Sequence, residues 1–151
     1  MTNPALGELA PIVRDLVGMP APELLGGDAA QPAPGSYLLL LEIAEPLTIT
    51  IRKRDWQLSA GLFVYAGSAN GAGGLRARLT RHFRKEKKQH WHIDRITTKV
   101  RAMRALCYQG ISECELRARL HASGRFSAPI PGFGSSDCTS CPTHFLEFTG
   151  G

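Results

Sequence analysis

The chain contains 151 residues, of which 43% are hydrophobic and 21% charged, and it carries a net charge of +5. This length and composition exclude a disordered chain and predict one globular domain that buries its own core. No apolar run approaches the roughly 20 residues that span a bilayer, and no secretory signal is visible at the N-terminus. We therefore expect a cytoplasmic protein without membrane partners, whose four cysteines do not form a disulfide framework.

Residues 1–34 are predicted to precede the main domain as a helix and a linker. Apolar residues recur at helical spacing between Leu6 and Val17, which predicts one amphipathic helix from about Ala5 to Val17. The stretch from Met19 to Pro34 is rich in Pro, Ala and Gly and has no periodicity, so we expect a linker or a loosely held segment. The pattern does not distinguish a helix that packs on the domain from one that binds a partner.

Residues 35–151 are predicted to form an α+β domain with a small central sheet, mainly antiparallel, of three or more strands flanked by helices. Apolar runs and period-two alternation predict three strands, at residues 36–43, 47–52 and 62–66, with a turn region at 55–61. The spacing of Leu75, Leu79 and Phe83 predicts a helix. Another helix is expected to begin at Ser112, since Ser112 and Glu115 have the spacing of a capping box. Shorter strands are expected at 100–108 and 144–148.

Positive charge is concentrated in one part of the chain. Residues 76–104 contain eleven Lys or Arg and only two acids, a local charge of +9, whereas the remainder carries −4. Such a patch is typical of a protein that binds a polyanion, although a solvated basic face has the same composition. The patch directly follows a glycine-rich loop at residues 67–74, and this position favours binding of a nucleic acid.

Six sequence blocks occur in an order that resembles a known family. They are Gly35-Ser36-Tyr37, Tyr65-Ala66-Gly67, Arg78 followed by His82, His90-Trp91-His92-Ile93-Asp94, Glu113-Cys114-Glu115, and F-G-x-S-D-C at 133–138. Together they resemble the GIY-YIG nuclease superfamily, and more closely an uncharacterised branch of it. The chain departs from the superfamily at Ser36 and Ala66, where isoleucine is usual, and at Ser68, where some members carry a lysine.

The resemblance implies a metal-dependent endonuclease that hydrolyses DNA phosphodiester bonds, with a link to DNA repair. It implies that Tyr37 and Tyr65 handle the proton and the attacking water, and that Arg78, helped by His82, binds the phosphate. It also implies one Mg²⁺ or Mn²⁺ ion held by Glu115, with Glu113 as the second candidate for the metal ligand. On the residues alone, the two glutamates also fit capping of a helix, and the two tyrosines also fit the end of a buried strand.

The residues around the predicted helix are candidates for contact with nucleic acid. We expect these contacts from Ser68, Arg76, Arg81, Arg84, Lys85, Lys87, Lys88, His90 and His92. In an extended run, His90, His92 and Asp94 project to the same face, which suits a polar site, but buried structural roles fit them better. The rival to an enzyme is a non-catalytic nucleic-acid-binding module or a repair-associated adaptor, in which the same basic patch binds without cleaving.

The C-terminal cysteines raise a second question about metals. Cys138, Cys141 and His144 have a spacing that zinc accepts. A single CxxC without a distant second pair is weak support for such a site, so a loop at the rim of the active site is the preferred interpretation.

Overall fold

The computed structural model describes residues 5–133 and 143–150. The strands are β1 (Gly35–Ile43), β2 (Leu47–Ile51), β3 (Arg54–Leu58), β4 (Gly61–Ala69), β5 (Ala102–Tyr108), β6 (Phe126–Ser127) and β7 (Phe145–Phe148). The helices are α1 (Leu6–Val17), α2 (Gly74–Phe83), α3 (Asp94–Thr97) and α4 (Glu113–Ala122), with a single 3₁₀ turn at Gly27–Ala29.

The fold is α+β, as predicted, and is built on a sheet of five strands. Its order is β5-β1-β4-β7-β6, and each of these pairs of neighbours runs antiparallel. β1 and β4 lie at the centre, in a register that places Tyr37 opposite Gly67 and Leu39 opposite Tyr65. The two tyrosines that the sequence singled out therefore come from neighbouring strands and share one face of the sheet.

Alternation along β1 divides the core into two layers. Tyr37, Leu39 and Leu41 face one layer, which includes the buried side of α2 and the residues around α3. Leu38 and Leu40 face the other layer, where α1 and α4 pack. Both sets are almost fully buried, which explains why the strand is apolar along nearly its whole length rather than alternating.

The N-terminal segment is an integral part of this core. Helix α1 packs against β1 and α4, with Leu9 and Val13 completely buried, so the helix docks on the domain. The stretch from Met19 to Pro34, predicted to be a linker or loosely held, is instead anchored. Leu24 pairs with Ala105 of β5 through two backbone hydrogen bonds of 2.9 and 3.0 Å. The prediction missed this because the anchors are main-chain groups, which composition does not encode.

The same segment supplies hydrogen-bond acceptors to the start of α2. The amide of Leu75 donates to the carbonyl of Ala33 at 2.9 Å, and the amide of Arg76 donates to that of Gln31 at 3.0 Å. The first turn of a helix has amides without partners inside the helix, and side chains, water or ligands often satisfy them. Here the protein's own backbone does so, and these amides are not available to a phosphate.

A two-stranded hairpin, β2–β3, stands beside the main sheet and corrects the predicted turn region at residues 55–61. Ile51 pairs with Arg54, so the turn consists of Arg52 and Lys53, whose φ angles are 53° and 65°. Such turns usually contain Asn or Gly, because other residues are strained at positive φ by about 1 kcal/mol or more. With two basic residues in these positions, the sequence offered no turn motif to recognise.

Among the described residues, no helix has both the length and the apolar character that crossing a membrane requires.

Candidate functional site

A cavity of about 190 Å³ lies beside the central strands of the sheet. Strands β1 and β4, helix α2, the segment before α3 and the first turn of α4 all contribute to it. Its walls are Tyr37, Tyr65, Gly67, Ser68, Arg78, His82, His90, Trp91, His92, Ile93, Glu113 and His144. The structure thus brings together seven of the predicted site residues, namely both tyrosines, Ser68, Arg78, His82, His90 and His92.

Tyr37 and His82 form a hydrogen-bonded pair at the base of this cavity. The Tyr37 hydroxyl lies 2.7 Å from Nε2 of His82, and both residues are about 1% exposed. Gly67, directly across the strand pair, makes room for the phenol, because a Cβ there would collide with the Tyr37 hydroxyl. The glycine of the Tyr65-Ala66-Gly67 block is therefore required by the close approach of the tyrosine ring.

Both members of this pair resist ionisation. Burial raises the pKa of Tyr37 far above its ordinary value, and the neighbouring hydroxyl of Tyr65 adds to this, while the Arg78 guanidinium opposes it. Burial, assisted by the positive charge of Lys87, lowers the pKa of His82 to about 3. The resting pair is consequently a neutral phenol beside a neutral imidazole.

The second ring nitrogen of His82, Nδ1, is buried and has no hydrogen-bond partner among residues 5–133 and 143–150. A buried polar atom without a partner costs about 1–3 kcal/mol. His82 is enclosed by aromatic rings, with ring centroids 5.3 Å from Tyr37, 6.4 Å from Tyr65 and 5.9 Å from Trp91. Within the described part of the chain, the imidazole therefore hydrogen-bonds to the Tyr37 hydroxyl alone, and this hydroxyl borders the cavity.

His82 is expected to make the protein unstable in mild acid. The unfolded chain binds a proton at His82 below pH 6.5, whereas the folded protein does so only near pH 3, so protonation favours unfolding within that window. Above pH 6.5, neutral His82 makes its full contribution to the free energy of unfolding. Below pH 6.5, we expect the free energy of unfolding to fall by up to about 1.4 kcal/mol per pH unit. Urea unfolding between pH 7 and 5 measures this slope.

The matched variants are His82→Gln, which keeps a polar group near Tyr37 but does not titrate, and His121→Gln, at an exposed position on α4. The first should flatten the dependence on pH and the second should leave it unchanged. An equal slope in wild type and His82→Gln would show that the acid sensitivity arises elsewhere.

Arg78 is held against the cavity wall by two contacts. One guanidinium nitrogen donates to the carbonyl of Ser68 at 3.0 Å, and the guanidinium lies over the ring of Trp91, 4.4 Å from its centroid. These contacts fix the plane of the guanidinium. The Arg78 side chain is half-buried, and its charge and hydrogen bonding act directly on Tyr37.

Asp94 organises the loop that carries Trp91, and it does so from inside the protein. It is fully buried, pairs with Arg81 through two contacts of 2.9 Å, and accepts the amides of His90 and Trp91. Burial raises the pKa of the Asp94 carboxyl, but these hydrogen bonds outweigh that effect and lower it to about 2. The segment is therefore not extended, and the buried structural role that the sequence favoured is confirmed for Asp94. Asp94 begins helix α3 and turns inward, while His90 and His92 line the cavity.

Four of the basic residues predicted to contact nucleic acid use their charged groups in hydrogen bonds within the protein. Arg81 pairs with Asp94. The Lys85 ammonium donates to the carbonyls of Thr97 and Val100, and that of Lys87 donates at 2.9 Å to those of Arg81 and His82. Lys87 thus satisfies carbonyls at the end of α2, and burial lowers its pKa to about 8. The guanidinium of Arg76 donates to the carbonyl of Ala30 at 3.0 Å, although the residue is exposed as a whole, and Arg84 and Lys88 are exposed at the surface.

The two candidate metal ligands on α4 lie in different surroundings. Glu113 is half-buried and lines the cavity, and its negative charge contributes to the raised pKa of Tyr37. Glu115, the first choice from sequence, is exposed and pairs with Arg119 at 3.2 Å, while its amide donates to Ser112 in a helix cap. Glu113 therefore lines the cavity, whereas Glu115 lies on the exposed surface of the helix.

No three carboxylate, imidazole or thiol groups converge within the part of the chain that the structure describes. One carboxylate in a polar cavity suits Mg²⁺ or Mn²⁺, hard ions that keep most of their water ligands. Of the predicted zinc ligands, Cys138 and Cys141 lie outside the described residues. His144 is buried in the cavity wall, with Nε2 3.7 Å from the sulfur of Cys114.

Sequence reasoning missed three features of this cavity. Trp91 was not among the predicted site residues and is the platform beneath Arg78. His144 was considered only as a metal ligand. The preference for Glu115 over Glu113 as the metal ligand rested on the resemblance to the nuclease superfamily. The two glutamates are two positions apart, which is more than half a helical turn, so they lie on different sides of α4. Which of them faces the cavity depends on how α4 packs on the domain.

Comparison with known proteins identifies a family for this chain but no activity. No curated protein and no solved structure matches it significantly. The domain of unknown function DUF123 matches residues 36–150, which is well over half of the chain and includes every cavity residue named above. The chain therefore belongs to the family of proteins that contain domain DUF123.

Proposed function

We propose that this protein is a metal-dependent endonuclease of the GIY-YIG type that hydrolyses phosphodiester bonds in DNA. One observation carries the proposal, namely that a single cavity holds the Tyr37–His82 pair, the guanidinium of Arg78 and the carboxylate of Glu113. Hydrolysis of a phosphodiester needs a proton acceptor, positive charge for the phosphate oxygens and an anchor for a divalent ion. These four side chains have the chemistry for all three roles.

Arg78 binds the phosphate in this proposal. A guanidinium grips two phosphate oxygens at once, and the stacking on Trp91 fixes its plane before the substrate arrives. The bonds to the Ser68 carbonyl and to Tyr37 leave other N–H groups of the five for the phosphate. Preorganised charge of this kind stabilises a transition state without reorganising at the moment of reaction.

Tyr37 and His82 move the proton. As the attacking water gives its proton to the Tyr37 oxygen, the phenol passes its own proton to Nε2 of His82, across the 2.7 Å hydrogen bond. The bound phosphate is anionic and therefore favours the imidazolium, which is otherwise disfavoured by burial. Tyr65 borders the same cavity and orients the water or the phosphate.

Glu113 holds the divalent ion. When bound, Mg²⁺ or Mn²⁺ supplies positive charge that offsets the negative charge on the phosphate oxygens. The protein's part is to provide one fixed carboxylate on the first turn of α4, on the same cavity as Arg78.

The test is cleavage of labelled DNA in Mg²⁺ or Mn²⁺ by two variants on the same helix. Glu113→Gln should lower the cleavage rate by about 10²-fold or more, because it removes the charge that anchors the ion. Glu115→Gln should stay within about twofold, because Glu115 is an exposed partner of Arg119. Neither change alters the size of the side chain.

Two results would contradict the proposal in different ways. Equal activity in wild type and Glu113→Gln, together with loss of activity in Glu115→Gln, would make Glu115 the metal ligand. Salt-sensitive binding of DNA without cleavage, in every divalent ion tried, would replace the enzyme with a binding module.

A further inference from the structure

A second cavity, of about 220 Å³, lies next to the first and plays no part in the chemistry proposed above. The hairpin β2–β3 forms one side of it, with Ile51, Arg52, Arg54 and Trp56, and residues 130–133 form the other. His92 belongs to the walls of both cavities. A molecule that occupies the first cavity therefore needs to extend past only one side chain to reach the second.

Planar and apolar surfaces dominate the second cavity. The guanidinium of Arg54 lies over the ring of Trp56, 4.2 Å from its centroid. Ile51, Ile130 and Phe133 are buried beneath the cavity and form an apolar floor. Its volume equals that of about seven water molecules, enough for one heterocyclic ring. Stacked Arg and Trp planes are the surfaces on which proteins receive unpaired nucleobases.

The charge around the second cavity matches the same occupant. Arg52, Lys53 and Arg54 are consecutive, exposed and at the tip of the hairpin. Arg52 and His92 line the second cavity together, and the charge of Arg52 acts on His92. Among the described residues, no carboxylate lines this second cavity, and the nearby Asp55 accepts a hydrogen bond from the Thr50 hydroxyl. A polyanion that is bound at Arg78 would meet further positive charge in this direction.

The basic track also continues on the opposite side of the first cavity. Arg78 separates that cavity from a shallow depression formed by the glycine loop, and Arg81 links this depression to a surface bearing Arg84 and Lys88. The openings therefore follow one another, and each shares a side chain with the next. One end of the track is basic without exposed aromatic rings, and the other end carries the Arg54–Trp56 stack.

We propose that the hairpin cavity is a subsite for an unpaired nucleobase of the strand whose phosphate lies at Arg78. A base inside a duplex is already stacked and paired and does not enter such a cavity. The substrate class is therefore DNA with at least one unpaired nucleotide beside the scissile phosphate, as in a single strand, a flap or a bulge. This inference rests on the proposed nuclease function and specifies its substrate.

The test measures binding in the presence of EDTA, so that it does not depend on cleavage. The probes are a labelled single-stranded DNA and a strand of the same length in which every nucleotide is abasic. Wild type should bind the normal strand about tenfold more tightly than the abasic strand, because only the former supplies a base. Arg54→Ala should lose most of this preference and change its affinity for the abasic strand by no more than about twofold.

Trp56→Leu provides a second variant that removes the stacking surface and keeps an apolar side chain, and its folding is checked by thermal unfolding. The control is Lys99→Ala, since Lys99 is exposed and lines a separate depression near Pro46. Lys99→Ala should keep the preference for bases. Retention of the preference in both Arg54→Ala and Trp56→Leu, or equal binding of the two strands by wild type, would overturn the subsite.

Cleavage of the same strands in Mg²⁺ separates this inference from the proposed function. If wild type cuts DNA while Arg54→Ala shows an unchanged preference for bases, the subsite is wrong and the nuclease stands. If the preference depends on Arg54 but no DNA is cut, the subsite stands and the nuclease is wrong.

Discussion

Arg78→Ala is expected to slow the cleavage of DNA about 10³-fold under single-turnover conditions, the largest effect of any single side chain in this site. The variant removes the guanidinium that stacks on Trp91 and borders Tyr37. Folding should change little, because Arg78 is only half-buried and water reaches part of its side chain. Measurement of the cleavage rate at saturating protein, together with urea unfolding, distinguishes loss of chemistry from loss of structure.

Arg78→Lys refines this prediction. Lysine keeps the charge but has neither the plane that stacks on an indole nor a fork for two oxygens, so it should restore only a small part of the rate. Arg101→Ala is the matched control, because Arg101 is an exposed arginine that lines a different depression. A cleavage rate in Arg78→Ala within about threefold of wild type would exclude the arginine from the reaction.

Asp94→Asn is expected to lower the free energy of unfolding by about 3 kcal/mol, the largest loss of stability that we predict for a polar substitution. Asp94 is fully buried and accepts hydrogen bonds from Arg81 and from two backbone amides. Asparagine leaves the Arg81 guanidinium without its counter-ion and brings an NH₂ group towards other donors. Arg81 is 26% exposed, which moderates the cost, because water reaches part of its charge.

The same substitution should also weaken the site. The two amides that Asp94 accepts belong to His90 and Trp91, so their release frees the platform beneath Arg78. Urea unfolding and DNA cleavage, measured on the same preparation, should therefore both change. Asp15→Asn, at an exposed position on α1, should shift stability by less than about 0.5 kcal/mol. Equal urea midpoints for Asp94→Asn and Asp15→Asn would show that the buried pair contributes nothing.

Most of the sheet and part of the site could be predicted from the sequence. Strands β1 and β4 follow from continuous apolar runs, because both of their faces are buried. Strand β2 and helices α1 and α2 follow from periodicity, because burial on one face imposes a regular spacing, and α4 follows from the cap at Ser112. Tyr37, Tyr65, Arg78 and His82 meet because the first two share a face of adjacent strands and the last two lie one helical turn apart.

What the sequence did not reveal depends on long-range geometry. Lys85 and Lys87 look like surface charges, but the chain folds back so that their ammonium groups reach backbone carbonyls. Glu113 and Glu115 are chemically identical, and only the packing of α4 separates them. The turn at Arg52 and Lys53 was hidden because its backbone conformation is one that these residues rarely adopt.

The carbonyls of Gln31 and Ala33 accept hydrogen bonds from the first amides of α2, and this limits how far the N-terminus can be truncated. Both residues precede the part of the chain that resembles its family, which begins at residue 36. A fragment trimmed to the region of similarity would leave those amides without partners at the helix that carries Arg78 and His82. It would also lose α1, whose apolar face covers one side of the sheet. The unit that folds is therefore longer than the unit that similarity defines, and the reactive helix depends on residues beyond the shared domain.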